Sequence, residues 1–231
     1  MNKKTKLFGL TVFEICLWSV SMAVMIAGFF LSPNKDPINL AASCMGVTAL
    51  IFLAKGAPIG QVFIIIFAIL YAWVSFEEKY YGEMITYLGM TAPMAVLALI
   101  SWIRHPFGDS GEVEVVSVGI KKGAAVVLLT AIVTFAFYFI LKALGNASLI
   151  VSTISVATSF FAASLTFLRS PYYAIGYALN DIVLIILWAV SAAKDPASFV
   201  MVACFVMFLV NDLYGFISWR RMKNRQKGLA L

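Results

Sequence analysis

Two pairs of adjacent amide and carboxylic-acid residues stand inside apolar runs: Asn180-Asp181 and Asn211-Asp212. A carboxyl group in hydrocarbon is costly, and it usually faces a protein interior or a watery path. Asn180 follows Pro171 by nine residues, and Asn211 precedes Trp219 by eight. At the helical rise, both sit roughly 12–14 Å deep from one side. Tyr173, Tyr177, Asn180/Asp181, Leu184 and Trp188 follow i, i+4, i+7 spacing and share one helix face. Together with Tyr214, these aromatic residues lie on the stripes of the polar pairs. Such a set suits a planar polar solute, which wants stacking faces and a few directed hydrogen bonds. A cationic ring would gain a cation–π contribution as well. The plainer reading is a hydrogen-bonded clamp between helices, worth about 0.6–2 kcal/mol per bond. Two adjacent acids exceed what such packing requires.

The chain offers no catalytic set. It has one histidine, no H-E-x-x-H, no G-x-S-x-G and no phosphate-cradling glycine loop. Cys16, Cys44 and Cys204 lie in apolar runs without CxxC pairing and read as small core residues. No metal site, cofactor or enzymatic activity is expected. The net charge of +6 reports membrane orientation and attraction to anionic lipid, not nucleic-acid binding.

These residues need a membrane scaffold. The 231-residue chain is 62% hydrophobic and 12% charged, with a mean hydropathy of +0.96, which excludes a disordered chain and argues against a soluble domain. Eight apolar stretches can each span a hydrocarbon core: about 9–31, 38–54, 58–76, 83–103, 123–143, 148–168, 171–192 and 197–219. The opening Met-Asn-Lys-Lys-Thr-Lys is similar to a signal-peptide start, but the apolar run after it is too long, so it reads as a retained helix. Of the 17 Lys and Arg, thirteen fall in the loops on one side and four (Lys35, Lys79, Lys142, Lys194) on the other. The positive-inside rule then places both termini in the cytoplasm.

The helices read as a repeat. Phe52-Leu53 is echoed by Phe167-Leu168, Trp73 by Trp188 and Trp102 by Trp219, at offsets of 115, 115 and 117. The expected architecture is all-α, 1+3+1+3: an extra helix (1–37), a three-helix bundle (38–104), a loop and linker helix (105–147), a second, parallel three-helix bundle (148–222) and a basic tail (223–231). The first copy lacks the acids: Ile65 stands at the place of Asn180 and Ala95 at that of Asp212. It contributes Gln61, Tyr71, Thr86, Tyr87 and Thr91 instead, so the site is asymmetric. Pro93 sits mid-helix and is a candidate hinge for a gate or a static kink. Glu14 reads as interfacial, and Glu77, Glu78 and Glu83 as a solvated outer loop. Trp73, Tyr80, Tyr81, Trp102 and Trp219 fall near membrane ends, where aromatic belts form. The loop at about 104–122 offers no chemistry.

The chain resembles the PnuC family of bacterial nicotinamide riboside transporters. The resemblance rests on Lys79-Tyr-Tyr-Gly-Glu83, Pro93-Met94, Asn180 within Leu-Asn-Asp-Ile-Val-Leu-Ile-Ile-Leu-Trp188, and Leu209-Val-Asn211-Asp-Leu-Tyr214-Gly215-Phe-Ile-Ser-Trp219. It implies two three-helix bundles joined by a linker helix, similar to the SWEET sugar transporters, in a bacterial inner membrane. It also implies facilitated diffusion by alternating access, trapping of the vitamin by cytoplasmic phosphorylation, and a homotrimer. Relatives carry thiamine, riboflavin or deoxynucleosides. A proton-coupled carrier or a non-transporting scaffold stays as an alternative. The family's W-x-x-W-x-x-x-N pattern becomes Tyr173, Gly176 and Asn180 here. Phe67 and Ala95 stand where relatives often have Asn and Gln.

Overall fold

The computed structural model describes residues 9–32, 35–77, 80–146, 148–194 and 196–229. Lys3, Lys4, Lys6, Glu78 and Lys79 lie outside the described residues. Eight helices are long and apolar enough to cross a membrane: α1 (Val12–Leu31), α2 (Pro37–Ala54), α3 (Ile59–Glu77), α4 (Tyr81–Arg104), α5 (Ile120–Ala143), α6 (Leu149–Phe167), α7 (Tyr173–Ala192) and α8 (Phe199–Leu229). No strand occurs among the described residues. The start of α1 and the end of α8 share one face of the molecule, called here the terminal face.

Local chemistry sets the helix ends. Thr11 and Glu14 form a capping box at the start of α1, each side chain bonding the other's backbone N–H. Asp36 caps α2 ahead of Pro37, whose missing N–H is an orphan at that position anyway. Inside α4, Tyr87–Thr91 form a π-helical segment that ends two residues before Pro93. Pro93 itself is exposed on the outside of the bundle. The lost i→i−4 bond is thus absorbed by a local widening of the helix.

Helix α2 packs on α3, α3 on α4, α6 on α7, and α7 on α8. Two further contacts join these groups: α2 with α8, and α4 with α6. Helix α1 lies against α2 and α8, and α5 against α6. With lipid as solvent, close packing and interhelical hydrogen bonds hold such helices together, not apolar burial. Small residues allow that approach. A Cβ on Gly176 would stand 2.9 Å from the Cα and Cβ of Ala162, and one on Gly60 2.8 Å from the backbone N of Leu53.

Tryptophans seal the terminal face. Trp102 Nε1 donates to Thr166 O at 3.0 Å, and Trp219 Nε1 to Leu53 O at 2.7 Å. Their rings stand 5.3 Å apart, and both residues are fully buried. The expectation of a membrane-surface belt therefore fails for this pair, because each indole N–H finds a carbonyl inside the protein. It fails for Tyr80 too, which is buried against Trp188, whereas Trp73 is half exposed.

The loop after α4 is ordered by long-range bonds that sequence spacing does not reveal. Val113 N donates to Gly56 O, and Val116 N to Arg169 O. Gln226 accepts from Val115 N at 2.8 Å and donates to Val113 O at 3.0 Å. Helix α8 consequently continues to Leu229, ten residues beyond the apolar run, with Met222 and Gln226 buried under the loop.

Gly176→Val should cost about 1–3 kcal/mol through overpacking against Ala162. A lowered thermal unfolding midpoint in detergent is the readout. Gly123→Ala, which meets nothing within 4 Å, should leave the midpoint unchanged.

Candidate substrate site

Helices α2, α3, α4, α6, α7 and α8 enclose a cavity of ≈ 40 Å³ at mid-bundle. Its polar wall carries Asn180, Asp181, Asp212, Ser159 and Thr91, and its aromatic wall carries Phe67, Tyr87, Tyr177, Phe205 and Phe208. No Lys, Arg or His is among the described residues that line it.

Asn180 is fixed from behind by α6. Its Oδ1 accepts from Thr158 at 2.8 Å, Ser159 at 2.9 Å and Ser155 at 3.3 Å. Its Nδ2 makes no hydrogen bond to a described residue. With the carbonyl end occupied, the amide N–H₂ is the end left to a ligand. The one Ser155 hydroxyl hydrogen is shared between Asn180 Oδ1 and Glu83 Oε2, 3.4 Å away, while Glu83 Oε1 has no hydrogen-bond partner. Glu83 is fully buried, so its expected place in a solvated outer loop is corrected: it sits in the first turn of α4, packed against the serines of α6. Asp181 and Asp212 meet side chain to side chain across α7 and α8, and Asp181 Oδ2 has no partner. Two carboxyl groups in contact can share a proton or hold a cation between them.

Aromatic side chains close the cavity on both sides. Away from the terminal face, Trp188 Nε1 donates to Tyr71 OH at 2.8 Å, and Tyr71 packs 4.3 Å from the ring of Tyr87. Beyond Trp188 lies a vestibule of ≈ 60 Å³ with Asp36, Asn39 and Glu77 in its wall. Toward the terminal face stand the Trp102–Trp219 pair and the ring of Tyr173, 4.8 Å from Trp219.

The expected site residues therefore separate. Tyr87, Tyr177, Asn180, Asp181 and Asp212 line the cavity, and Tyr71 and Trp188 cap it. Tyr173 packs below it, beside Gly215. Asn211 turns to α1 instead, donating to Ser21 Oγ at 3.1 Å and to Met207 O at 2.7 Å. Tyr214 donates to Glu14 Oε1 at 2.9 Å near the terminal face. Gln61 is buried in the first turn of α3, outside the cavity wall. The two Asn-Asp pairs look alike in sequence, yet Asn180 serves the cavity and Asn211 serves as a clamp. Glu83 and the α6 hydroxyls went unrecognised as part of the site. Ser152, Ser155 and Ser159 form an i, i+3, i+7 stripe that could have marked them.

Residues 36–221 match the family described as nicotinamide mononucleotide transporter. The chain belongs to that family. It is a membrane transporter, not an enzyme. Over 231 residues it is 29% identical to the nicotinamide riboside transporter PnuC of Neisseria mucosa, covering 97% of this chain and 88% of the relative. It is 24% identical to the nicotinamide riboside transporter PnuC of Haemophilus influenzae, covering 94% and 93%. The crystal structure of the vitamin B3 transporter PnuC superposes with a TM-score of 0.84 at 27% identity, over 95% of both chains.

Asn180→Ala should weaken binding of the transported solute about tenfold, the loss of one buried polar contact. Asn211→Ala should leave that affinity within about twofold and lower the unfolding midpoint instead. Calorimetric titration and thermal melts of the purified variants check both.

Proposed function

We propose that this transporter carries nicotinamide riboside by facilitated alternating access. The observation that carries this reading is the charge of the cavity wall. The family's description names the mononucleotide, whereas the relatives' names give the riboside. The two solutes differ by a phosphate. A wall with Asp181 and Asp212, Glu83 one hydroxyl behind it, and no cation suits a pyridinium ring and repels a phosphate. Tyr87 and Tyr177 supply ring faces, the Asn180 amide donates to a ribose or carboxamide oxygen, and the aspartates balance the ring's charge.

A cavity of ≈ 40 Å³ is far too small for a nucleoside, so its walls must part on entry. The Tyr71–Trp188 bond is then the gate on the vestibule side, and the Trp102–Trp219 pair with its loop is the gate on the terminal side. Rocking between two bundles would open each in turn. The reciprocal contacts support such a pair of parallel repeats: α2 with α8 and α4 with α6, Trp102 to Thr166 and Trp219 to Leu53. The turns after α2 and α6 match as well, with left-handed residues at Gly56 (φ 66) and Arg169 (φ 57) and the same pair of capping bonds. The excess of Lys and Arg on the terminal face supports a cytoplasmic position for it, in an inner membrane with both termini inside.

Purified protein in liposomes should take up labelled nicotinamide riboside saturably. Unlabelled riboside should compete, and the mononucleotide, thiamine, riboflavin and deoxynucleosides should compete poorly. Equal uptake of the mononucleotide, or stronger competition by a neutral nucleoside, would overturn the assignment. The contact between Asp181 and Asp212 favours one second reading, proton coupling. It predicts that a pH gradient drives uptake and that Asp181→Asn removes that dependence.

A further inference from the structure

A second, polar cavity of ≈ 400 Å³ opens on the terminal face, apart from the central one. Four segments distant in sequence build it: the start of α1 (Gly9, Thr11, Glu14), Lys55 after α2, Glu112 in the loop after α4, and the C-terminal half of α8 (Tyr214, Ser218, Arg221, Arg225). Most of its charges are already matched. Glu14 is buried and accepts from Thr11 N and Tyr214 OH, with Lys55 Nζ 3.9 Å away. Lys55 also donates to Gly9 O. Arg225 pairs with Glu112 from the loop after α4. Arg221 has no carboxylate partner among the described residues, so one guanidinium is left over at a wall that also offers the Ser218 hydroxyl. The same wall carries the Tyr214 ring, which packs 5.0 Å from Phe13, and the carboxylates of Glu14 and Glu112, whose oxygens keep lone pairs beyond those bonds.

That combination has a chemical meaning. A guanidinium with an adjacent hydroxyl takes a phosphomonoester. Carboxylates accept from ribose hydroxyls, and a tyrosine ring stacks a planar base. A cavity of this volume falls in the range that encloses a small ligand. We propose that it binds a phosphorylated nucleoside, a mononucleotide, on the cytoplasmic side. The cytoplasmic position rests on the orientation proposed above, but binding itself does not rest on the central site's substrate. A mononucleotide here would tie α1, the α2–α3 turn and α8 together. It would hold the terminal gate shut, so that the phosphorylated form of a carried nucleoside slows further entry.

The test is calorimetric titration of the detergent-purified chain with nicotinamide mononucleotide, inorganic phosphate and nicotinamide riboside separately. The mononucleotide should bind saturably and more tightly than phosphate. Arg221→Gln should weaken it at least tenfold and leave riboside binding unchanged, which also shows that the variant is folded. Nanodiscs of phosphatidylglycerol should bind the mononucleotide as well as those of phosphatidylcholine. Failure of the mononucleotide to bind, equal binding by Arg221→Gln, or loss of binding only in phosphatidylglycerol, which marks a lipid headgroup as the ligand, overturns the proposal. Binding that appears only after deletion of residues 2–8 overturns it too, because the cavity would then be the seat of that segment. Mononucleotide binding without riboside binding would sink the reading of the central site and leave this one standing.

Discussion

The amide of Asn180 takes hydrogen bonds from three hydroxyls of α6, and much of the molecule follows from keeping that amide and its neighbouring carboxyls out of lipid. Hydrocarbon offers no partner to a polar group, so each must be satisfied inside the bundle or face a cavity. Helix α6 meets that demand with serine and threonine on one stripe and presses closely on α7 through Gly176 and Ala162. Gly176 is therefore a packing residue. A ring at that place would drive the hydroxyls away from the amide they orient.

The same constraint explains why the cavity is closed on both sides by aromatic residues with polar handles. Tyr71 and Trp188 satisfy each other on one side. On the other, Trp102 and Trp219 donate to carbonyls at the ends of α6 and α2. Each of these bonds joins two groups of helices, so under the rocking motion proposed above it would break when those groups part. A phenyl ring would fill the same space without making the closure a discrete state. The π-helical segment of α4 lies beside the first of these seals, with Tyr87 at its start and Pro93 just past its end. That segment is the place where α4 departs from regular helix geometry, and its Tyr87 and Thr91 lie in the cavity wall.

Much of the scaffold was legible in the sequence because membrane helices declare themselves by length and apolarity. Eight spans were expected, and eight helices long and apolar enough to cross a membrane occur among the described residues. Asn180, Asp181 and Asp212 were legible because an intramembrane acid is rare enough to demand a reason. The role of Asn211 was not. Its spacing and neighbours match those of Asn180, and only the presence of Ser21 on α1 makes it a clamp. Glu83 was hidden for a related cause. Three glutamates near a helix start look like a wet loop until α6 is seen to cover one of them. The bonds from Gln226 to Val113 and Val115 span more than a hundred residues and leave no local pattern, so the extension of α8 was invisible as well.

Charge is distributed so that, on the readings proposed above, the two cavities would favour opposite solutes. Carboxyl groups gather at mid-bundle without a cation lining the cavity, and guanidinium and ammonium groups gather at the terminal face. A cationic nucleoside is attracted to the centre and gains nothing from Arg221. Adding a phosphate reverses both terms. Like-charge contact at a desolvated site costs several kcal/mol, about a thousandfold in occupancy, so on the proposed reading a phosphate by itself would keep a mononucleotide out of the central cavity. Under the facilitated transport proposed above, no coupling ion would be required.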